Sequence, residues 1–582
     1  MDVSSFMSLK NKTYYQILLL ISMLNLLFMH YFFYFSDYLE WTWLYSVAIN
    51  LCGIVFDVFV ILILSLIIVG RRLKLALLIT EIITMLWSFV NVMYGRFFFQ
   101  YLSLSAIGET QELGDSLVVN SLMSAFHLYD LYYIVSLLCF VVVFRMTKPI
   151  ILHWNTSLRL ISVPVISLLL TFLFFSVYHF LHPKYRNNWE LYVGGIQELS
   201  YYPFGGGTPN LVHFQNGCVR VLSYEVFDLF SVKKLAPEQI SEIENFYLDK
   251  SHRTTSHQRN PKIRNVILII LESFLSEPID LKVDDKEITP FLNSLKRDSD
   301  VYYNGGMISD IGCGESGDGQ FIYMTGILPL HHKITVGQVK DNKLPALPII
   351  LRKELDIDNS ELISPTTPNL WQQNDMNKAY GIKKGYWRDD ITEGGQKSLD
   401  DKSIFDFAAN QINTANEPFF SVILSLSTHS PYNKYAGTDY LKGNKTLKEE
   451  YKNYLNSCHF LDEQLQSYFA ALKDKGLYEN SLIIIASDHY AHLDMLGMRG
   501  KITSHIPLFI INGGFDINNA WHGEFHQVDT YTTLLDLLGI DQSWLGVGTT
   551  ILSPNYTTSV DDLARNISRM IIEEDYFSKS NP

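Results

Sequence analysis

Apolar positions along the chain follow two different rules. In the first third they run almost unbroken, at residues 15–35 (YQILLLISMLNLLFMHYFFYF), 43–70, 75–95, 131–146 and 159–181. These runs approach or exceed the roughly 20 residues that a helix needs to cross a bilayer. They carry almost no charge, so they predict five membrane-spanning helices rather than buried helices of a soluble protein.

From residue 265 the rule changes. Short β-rich runs, NVILIIL, FFSVILSL, SLIIIAS and IPLFII, alternate with helical stretches, and each is followed by a polar turn. Continuous apolar strands suit burial on both faces, as in a mostly parallel sheet covered by helices. The pattern predicts an α/β domain. The expected organisation is a five-span anchor at 1–182, a linker at 183–260 that wraps from the membrane, the α/β domain at 261–552, and a tail at 553–582.

Charge gives the spans a direction. Lys10 and Lys12 precede the first run, Arg71, Arg72 and Lys74 follow the second, and Arg145, Lys148 and Arg159 lie between the fourth and fifth. Acidic residues occupy the opposite loops: Asp37 and Glu40, then Glu109, Glu112 and Asp115. By the positive-inside rule the N-terminus is cytoplasmic, and five crossings place everything after residue 182 outside. The first run lacks a small-residue cleavage site and reads as an anchor. The aromatic stretch RFFFQYLSLSAIG after the third run suits the outer interface. A net charge of −14 argues against a nucleic-acid partner. Cys218, Cys313 and Cys458 in the external part have neither the number nor the spacing of a disulfide framework or a zinc cluster.

Chemistry gathers where the apolar runs end. NVILIIL is followed by Glu272-Ser273, the FFSVILSL run by Thr428-His429, and SLIIIAS by Asp488-His489. Open α/β sheets bind ligands beyond the carboxyl ends of their strands, so three strands would deliver these groups to one rim. The segment SDIGCGESGDGQF adds Ser316, surrounded by Gly312, Gly314, Gly317 and Gly319. Two carboxylates, an imidazole and a serine oxygen suit one divalent cation, with Mn²⁺, Zn²⁺ and Mg²⁺ all compatible with the donor types. A metal on a serine oxygen lowers its pKa and bears charge developing on a phosphoryl or sulfuryl oxygen.

Taken in order, NVILIILESF, GESGDGQF, LSLSTHSPY, SDHY and HQVDTYTTLLDLLGI resemble the alkaline-phosphatase/sulfatase-like superfamily over about 265–540. With the five-span anchor, the chain is similar to that superfamily's membrane-anchored branch of lipoteichoic acid synthases (phosphoglycerol transferases) and lipid phosphoethanolamine transferases. The resemblance implies an alkaline-phosphatase-like external domain in which Glu272, Ser316, Asp488 and His489 hold the metal. Ser316 would replace the threonine usual in the lipoteichoic acid synthases. Aligning CGE on the CGT of the phosphoethanolamine transferases would instead put Glu315 at the nucleophile position; a carboxylate there would give a labile acyl phosphate, which favours Ser316.

Substrate recognition departs from that pattern. NLWQQNDMNKAYG resembles the glycerol-phosphate-binding FWNRD stretch of the synthases, with Trp371 matching, but Gln373 stands where their arginine grips phosphate and Ser364 where they carry a histidine. Loss of a bidentate phosphate donor is not conservative. Arg388 in GYWRDD is the candidate to replace it, and Lys501 and His505 in GKITSHIP are candidates to add positive charge. No Cys/Ser-x-Pro-x-Arg context exists around Ser316, which disfavours sulfate-ester hydrolysis.

The expectation is a multi-pass enzyme of a bacterial inner (cytoplasmic) membrane, its catalytic domain facing the periplasm or exterior. It would move phosphoethanolamine or phosphoglycerol from a membrane phospholipid through phospho-Ser316 to an envelope glycan or lipid, with His429 as acid and base. Two alternatives use the same residues differently: a phosphodiesterase, phosphatase or sulfatase-like hydrolase, and a catalytically silent lipid- or glycan-binding scaffold.

Overall fold

The computed structural model describes residues 9–35, 43–98, 101–104, 126–181, 213, 217–229, 235–248, 254–331, 333–557 and 560–579. The acidic loops expected at 36–42 and 105–125, most of the RFFFQYLSLSAIG stretch's C-terminal half, and YYPFGGGTPN in the linker lie outside these residues. The chain divides into two units, one comprising residues 1–107 and 122–232 and the other 108–121 and 233–582.

The first unit is helical. Its principal elements are α1 (Leu9–Phe35), α2 (Trp43–Ile68), α3 (Leu73–Phe98), α4 (Leu131–Met146) and α5 (Ser162–Leu181). Among the described residues four helices are long and apolar enough to cross a membrane, those covering Lys10–Phe33, Val47–Ile68, Leu73–Arg96 and Leu128–Met146. The fifth expected span falls on α5, whose described apolar part is the shorter Ser162–Phe174, so the count is four rather than five.

Charged and amide groups inside these helices form buried pairs, as a low-dielectric surrounding favours. The Glu81 carboxylate of α3 accepts from Ser22 Oγ at 2.7 Å and Asn25 Nδ2 at 3.0 Å, both on α1. Arg96 forms a two-pronged pair with Asp130 at 2.6 and 2.8 Å. Asp57 of α2 accepts the backbone N–H groups of Cys218 (2.7 Å) and Val219 (3.0 Å), the first residues of α6 (Cys218–Leu229). A carboxylate here satisfies amides that every helix leaves open at its N-terminus.

The second unit is built on an eight-stranded sheet. Its strands are β1 (Asn265–Leu271), β2 (Val301–Ile308), β3 (Asn359–Ile363), β4 (Lys384–Tyr386), β5 (Phe419–Leu424), β6 (Ser481–Ser487), β7 (Ile506–Ile511) and β8 (Phe525–His526), in the order β8-β2-β7-β6-β1-β5-β3-β4. All pairs are parallel except the two made by β7, which runs antiparallel to β6 and β2. Strands β1, β5, β6 and β7 are buried along their whole length, which is why they read as unbroken apolar runs. One core wraps Ile267, Ile269, Leu271, Ile423, Ile483 and Ile485 against Tyr454, Leu461 and Leu465 of the long helix Glu449–Asp474.

Helix α7 (Glu315–Thr325) lies so close to the end of β6 that only glycine fits at the contact. A Cβ on Gly319 would stand 2.5 Å from the carbonyl oxygen of Asp488 and 2.9 Å from its Cα, both backbone atoms that cannot swing aside. On Gly317 the same atom would meet Val336 and Trp371 at 3.5–3.6 Å, an ordinary contact. Gly319→Ala is therefore expected to destabilise the second unit by about 1–3 kcal/mol while Gly317→Ala leaves it within ~0.5 kcal/mol. Thermal unfolding of the two detergent-solubilised variants checks this, and equal melting temperatures would contradict it.

Candidate active site

The three central strands β5, β1 and β6 are parallel neighbours, so their carboxyl ends finish side by side. Backbone bonds continue the sheet past its last residues: Asp488 N–H donates to the Leu271 carbonyl (3.0 Å) and Ser425 N–H to that of Ile270 (3.0 Å). The turn after β1 is then fixed from both sides. Glu272 N–H donates to Ser425 Oγ (2.8 Å), Ser273 N–H to Asp488 Oδ1 (2.8 Å), and Thr428 Oγ1 to the Glu272 carbonyl. Ser273, held at φ +49°, donates its hydroxyl to Glu272 Oε1 at 2.6 Å. These contacts leave no freedom to the Glu272 and Asp488 carboxylates, which are 8% and 2% exposed.

Ser316 enters from the glycine-rich segment, at the second residue of α7. Asp318, fully buried, accepts the backbone N–H groups of Gly312 (2.9 Å) and Gly314 (2.8 Å) and so folds the loop onto the helix start. That geometry places Ser316 Oγ 3.2 Å from Glu272 Oε2 and 3.3 Å from His489 Nε2. His489 Nε2 is 3.7 Å from both Glu272 Oε1 and Asp488 Oδ2.

The electrostatics of this cluster call for a cation. Burial alone would raise the Glu272 carboxyl, but the charges of His429 and His489 outweigh it and hold the group below its usual range. Asp488 is pushed up to about 7, first by burial and then by the charge of Glu272. Burial opposes protonation of His489, yet Asp488, Glu315 and Glu272 together raise it to about 9. Like-charged carboxylates in a dry site share whatever positive charge is present. Donor atoms of Glu272, Asp488 and His489 lie within 4.8 Å of one another, and the set of carboxylate oxygens, imidazole nitrogen and serine oxygen fits a divalent cation.

Other expected residues are distributed along the same rim. His429 is exposed, its Nδ1 2.5 Å from the Ser430 carbonyl. Trp371 packs over the Gly317 backbone beside Ser316. Gln373, buried, donates from Nε2 to Gln320 Oε1 at 3.0 Å, and Gln320 stands one helical turn beyond Ser316. A neutral amide pair therefore occupies this position. Ser364 follows β3 and Arg388 follows β4; Arg388 N–H donates to the Thr366 carbonyl at 3.0 Å, and Thr366 Oγ1 is 2.8 Å from Ser364 Oγ, so the last two strands on this side of the sheet also end here. Lys501 and His505 are placed differently. The Lys501 ammonium donates to the Gly497 carbonyl (2.8 Å) and His505 pairs with Glu524 (3.1 Å), and neither makes a contact with Glu272, Ser316, Asp488 or His489.

Two site residues, Asp318 and His492, were not singled out by sequence reasoning, and a third, Glu315, was weighed only as an alternative nucleophile. Asp318 carried a trace, as an acid in the first turn of a helix. His492 is buried with its ring centroid 6.2 Å from that of His489, and burial followed by the charges of His489 and His429 lowers it to about 3, so it stands there neutral. Glu315 has Oε2 3.6 Å from His489 Nδ1. The five cysteines are free thiols.

A cation binding here must displace the protons held by Asp488 up to about 7 and by His489 up to about 9. Affinity for Mn²⁺ or Zn²⁺ is thus expected to rise with pH and binding to release protons. Calorimetric titration of the full-length protein at about pH 6 and about pH 8 checks the sign, and tighter binding at the lower pH would contradict it.

Comparison with known proteins bears on both units of the chain. The sulfatase family matches residues 264–540, and the lipoteichoic acid synthase N-terminal domain matches residues 3–191. Lipoteichoic acid synthase 2 of Bacillus subtilis is 27% identical over 501 residues, covering 80% of this chain and 72% of that protein. A lipoteichoic acid synthase of Staphylococcus aureus is 26% identical over 504 residues, covering 81% and 74%. Among solved structures, the integral membrane lipooligosaccharide phosphoethanolamine transferase A of Neisseria meningitidis superposes with a TM-score of 0.54 at 15% identity, covering 90% of this chain and 95% of that one, which is a likeness of fold. The chain thus joins an alkaline-phosphatase-like sulfatase domain to a lipoteichoic acid synthase N-terminal domain, and the curated relatives it is similar to are lipoteichoic acid synthases.

Proposed function

We propose that this protein is a metal-dependent phosphotransferase that moves a phospho-head group, phosphoethanolamine or phosphoglycerol, from a membrane phospholipid to a hydroxyl of an envelope glycan or lipid. The observation that carries the reading is the Ser316 hydroxyl set between Glu272 Oε2 (3.2 Å) and His489 Nε2 (3.3 Å) at the mouth of a buried acidic cluster. Glu272, Ser316, Asp488 and His489 are the residues that would hold the metal. When bound, a divalent ion supplies a lower pKa for the serine hydroxyl and positive charge for a phosphoryl oxygen.

In the first step Ser316 Oγ, ionised as the alkoxide, attacks phosphorus, the bond from phosphorus to the diacylglycerol oxygen breaks, and protonated His429 gives that oxygen a proton. The acceptor oxygen then attacks the phosphorus of phospho-Ser316 as its proton passes to His429, and the phosphorus–Oγ bond breaks to return the Ser316 alkoxide. The exposed setting of His429 suits a group that must meet two different oxygens in turn. Trp371 over the Gly317 backbone and the Gln320–Gln373 pair would border the head group, with Arg388 as its cationic contact. A catalytic unit on the periplasmic or outer side, as this reading requires, needs the fifth apolar run, 159–181, to cross the membrane as well as the four longer helices.

The test is diacylglycerol release from labelled phosphatidylethanolamine and phosphatidylglycerol in proteoliposomes of the full-length protein. Ser316→Ala and Glu272→Ala are expected to bring release below detection, and His429→Ala to slow it by about 10²–10⁴-fold. The lipid that is consumed names the head group. Undiminished release by Ser316→Ala would overturn the assignment of the nucleophile.

A further inference from the structure

Glycines 312, 314, 317 and 319 surround the nucleophile turn, yet none of them has a positive φ. The residue that does is Glu315, at φ +42°. This left-handed region suits glycine, and a side chain kept there is strained. Strain of this kind clusters where the side chain is needed. The Glu315 carboxylate is 16% exposed, with Oε2 3.6 Å from His489 Nδ1.

His489 has two working edges. Its Nδ1 lies 2.9 Å from the Tyr490 carbonyl, which can only accept, so the proton of a neutral ring sits on Nδ1. The lone pair is then on Nε2, the atom that faces Ser316 Oγ at 3.3 Å and the Glu272 and Asp488 carboxylates at 3.7 Å. The Tyr490 carbonyl fixes this tautomer, and a carboxylate charge beside the same edge raises the basicity of Nε2 as a ligand.

We infer that Glu315 is a positioning residue for the metal centre: its charge, set behind His489, favours the imidazole orientation with Nε2 toward the cation and strengthens that ligand. The inference rests on the reading of Glu272, Ser316, Asp488 and His489 as cation ligands. It does not require the phosphotransferase reaction. It also accounts for a glutamate at a position whose backbone conformation favours glycine.

Two variants separate charge from shape in the full-length, detergent-solubilised protein. Glu315→Gln keeps the side chain and removes the charge. Glu315→Gly removes both but relieves the backbone, so it is expected to melt no lower than wild type in the metal-free state. Each is expected to bind Mn²⁺ about 10–100-fold more weakly than wild type by calorimetric titration. Wild-type affinity in Glu315→Gln would overturn the inference while leaving the metal centre in place. Absence of Mn²⁺ and Zn²⁺ binding by the wild-type chain would overturn the metal centre and this inference together.

Discussion

Glu272 and Asp488 leave adjacent parallel strands and are held side by side in a buried site, by backbone bonds that continue the sheet register past its last residues. Two carboxylates so placed repel one another unless positive charge stands with them. The rest of the site follows from that constraint. His489 is driven toward protonation, Asp488 is driven toward neutrality, and a divalent cation would relieve both. Ser316 gains its significance from the same field, because an oxygen within hydrogen-bond reach of this cluster is next to whatever cation satisfies it. The sheet sets the charges in place, and the close packing of Gly319 on the Asp488 backbone brings the hydroxyl to them.

Positive φ values mark the cost of holding that geometry. Ser273, Glu315, Trp371, Gln372 and Tyr432 all adopt left-handed backbone, and they belong to the turns around the cluster. Such strain persists only where the surroundings over-determine the conformation. Three of these turns are pinned by side chains: Ser273 by Asp488, the glycine loop by Asp318, and the chain after Tyr432 by the bond from Asn453 Nδ2 to the Tyr432 carbonyl.

Much of this was legible in the sequence, for physical reasons that also explain what was not. Strands buried on both faces write themselves as unbroken apolar runs, so β1, β5, β6 and β7 were readable, as were the polar groups that terminate the first three. Strand order and the reversed direction of β7 depend on pairings distant in sequence, which no local pattern encodes. Glu272, Asp488 and His489 stand next to strand ends and needed only the topology rule. Asp318 and His492, and the placing of Glu315 beside His489, were hidden because these partners are set by the rotation of α7 and the course of a loop. Lys501 and His505 follow the opposite logic: near in sequence to the site strands, they find partners in Gly497 and Glu524. In the first unit the apolar runs announced the helices, while pairs such as Glu81 with Ser22 and Asn25 required knowing which helices touch.

The central claim is that Ser316 carries the phospho-head group between donor and acceptor. Intact-mass and peptide mapping of the full-length protein, incubated with mixed phospholipids and Mn²⁺ or Zn²⁺ in lipid nanodiscs without acceptor, tests it most directly. The account predicts a covalent increment on the peptide containing Ser316, of a mass equal to phosphoethanolamine or phosphoglycerol, and none in Ser316→Ala. An increment located on another residue, or steady diacylglycerol release with Ser316 unmodified at every time point and after rapid acid quench, would contradict it.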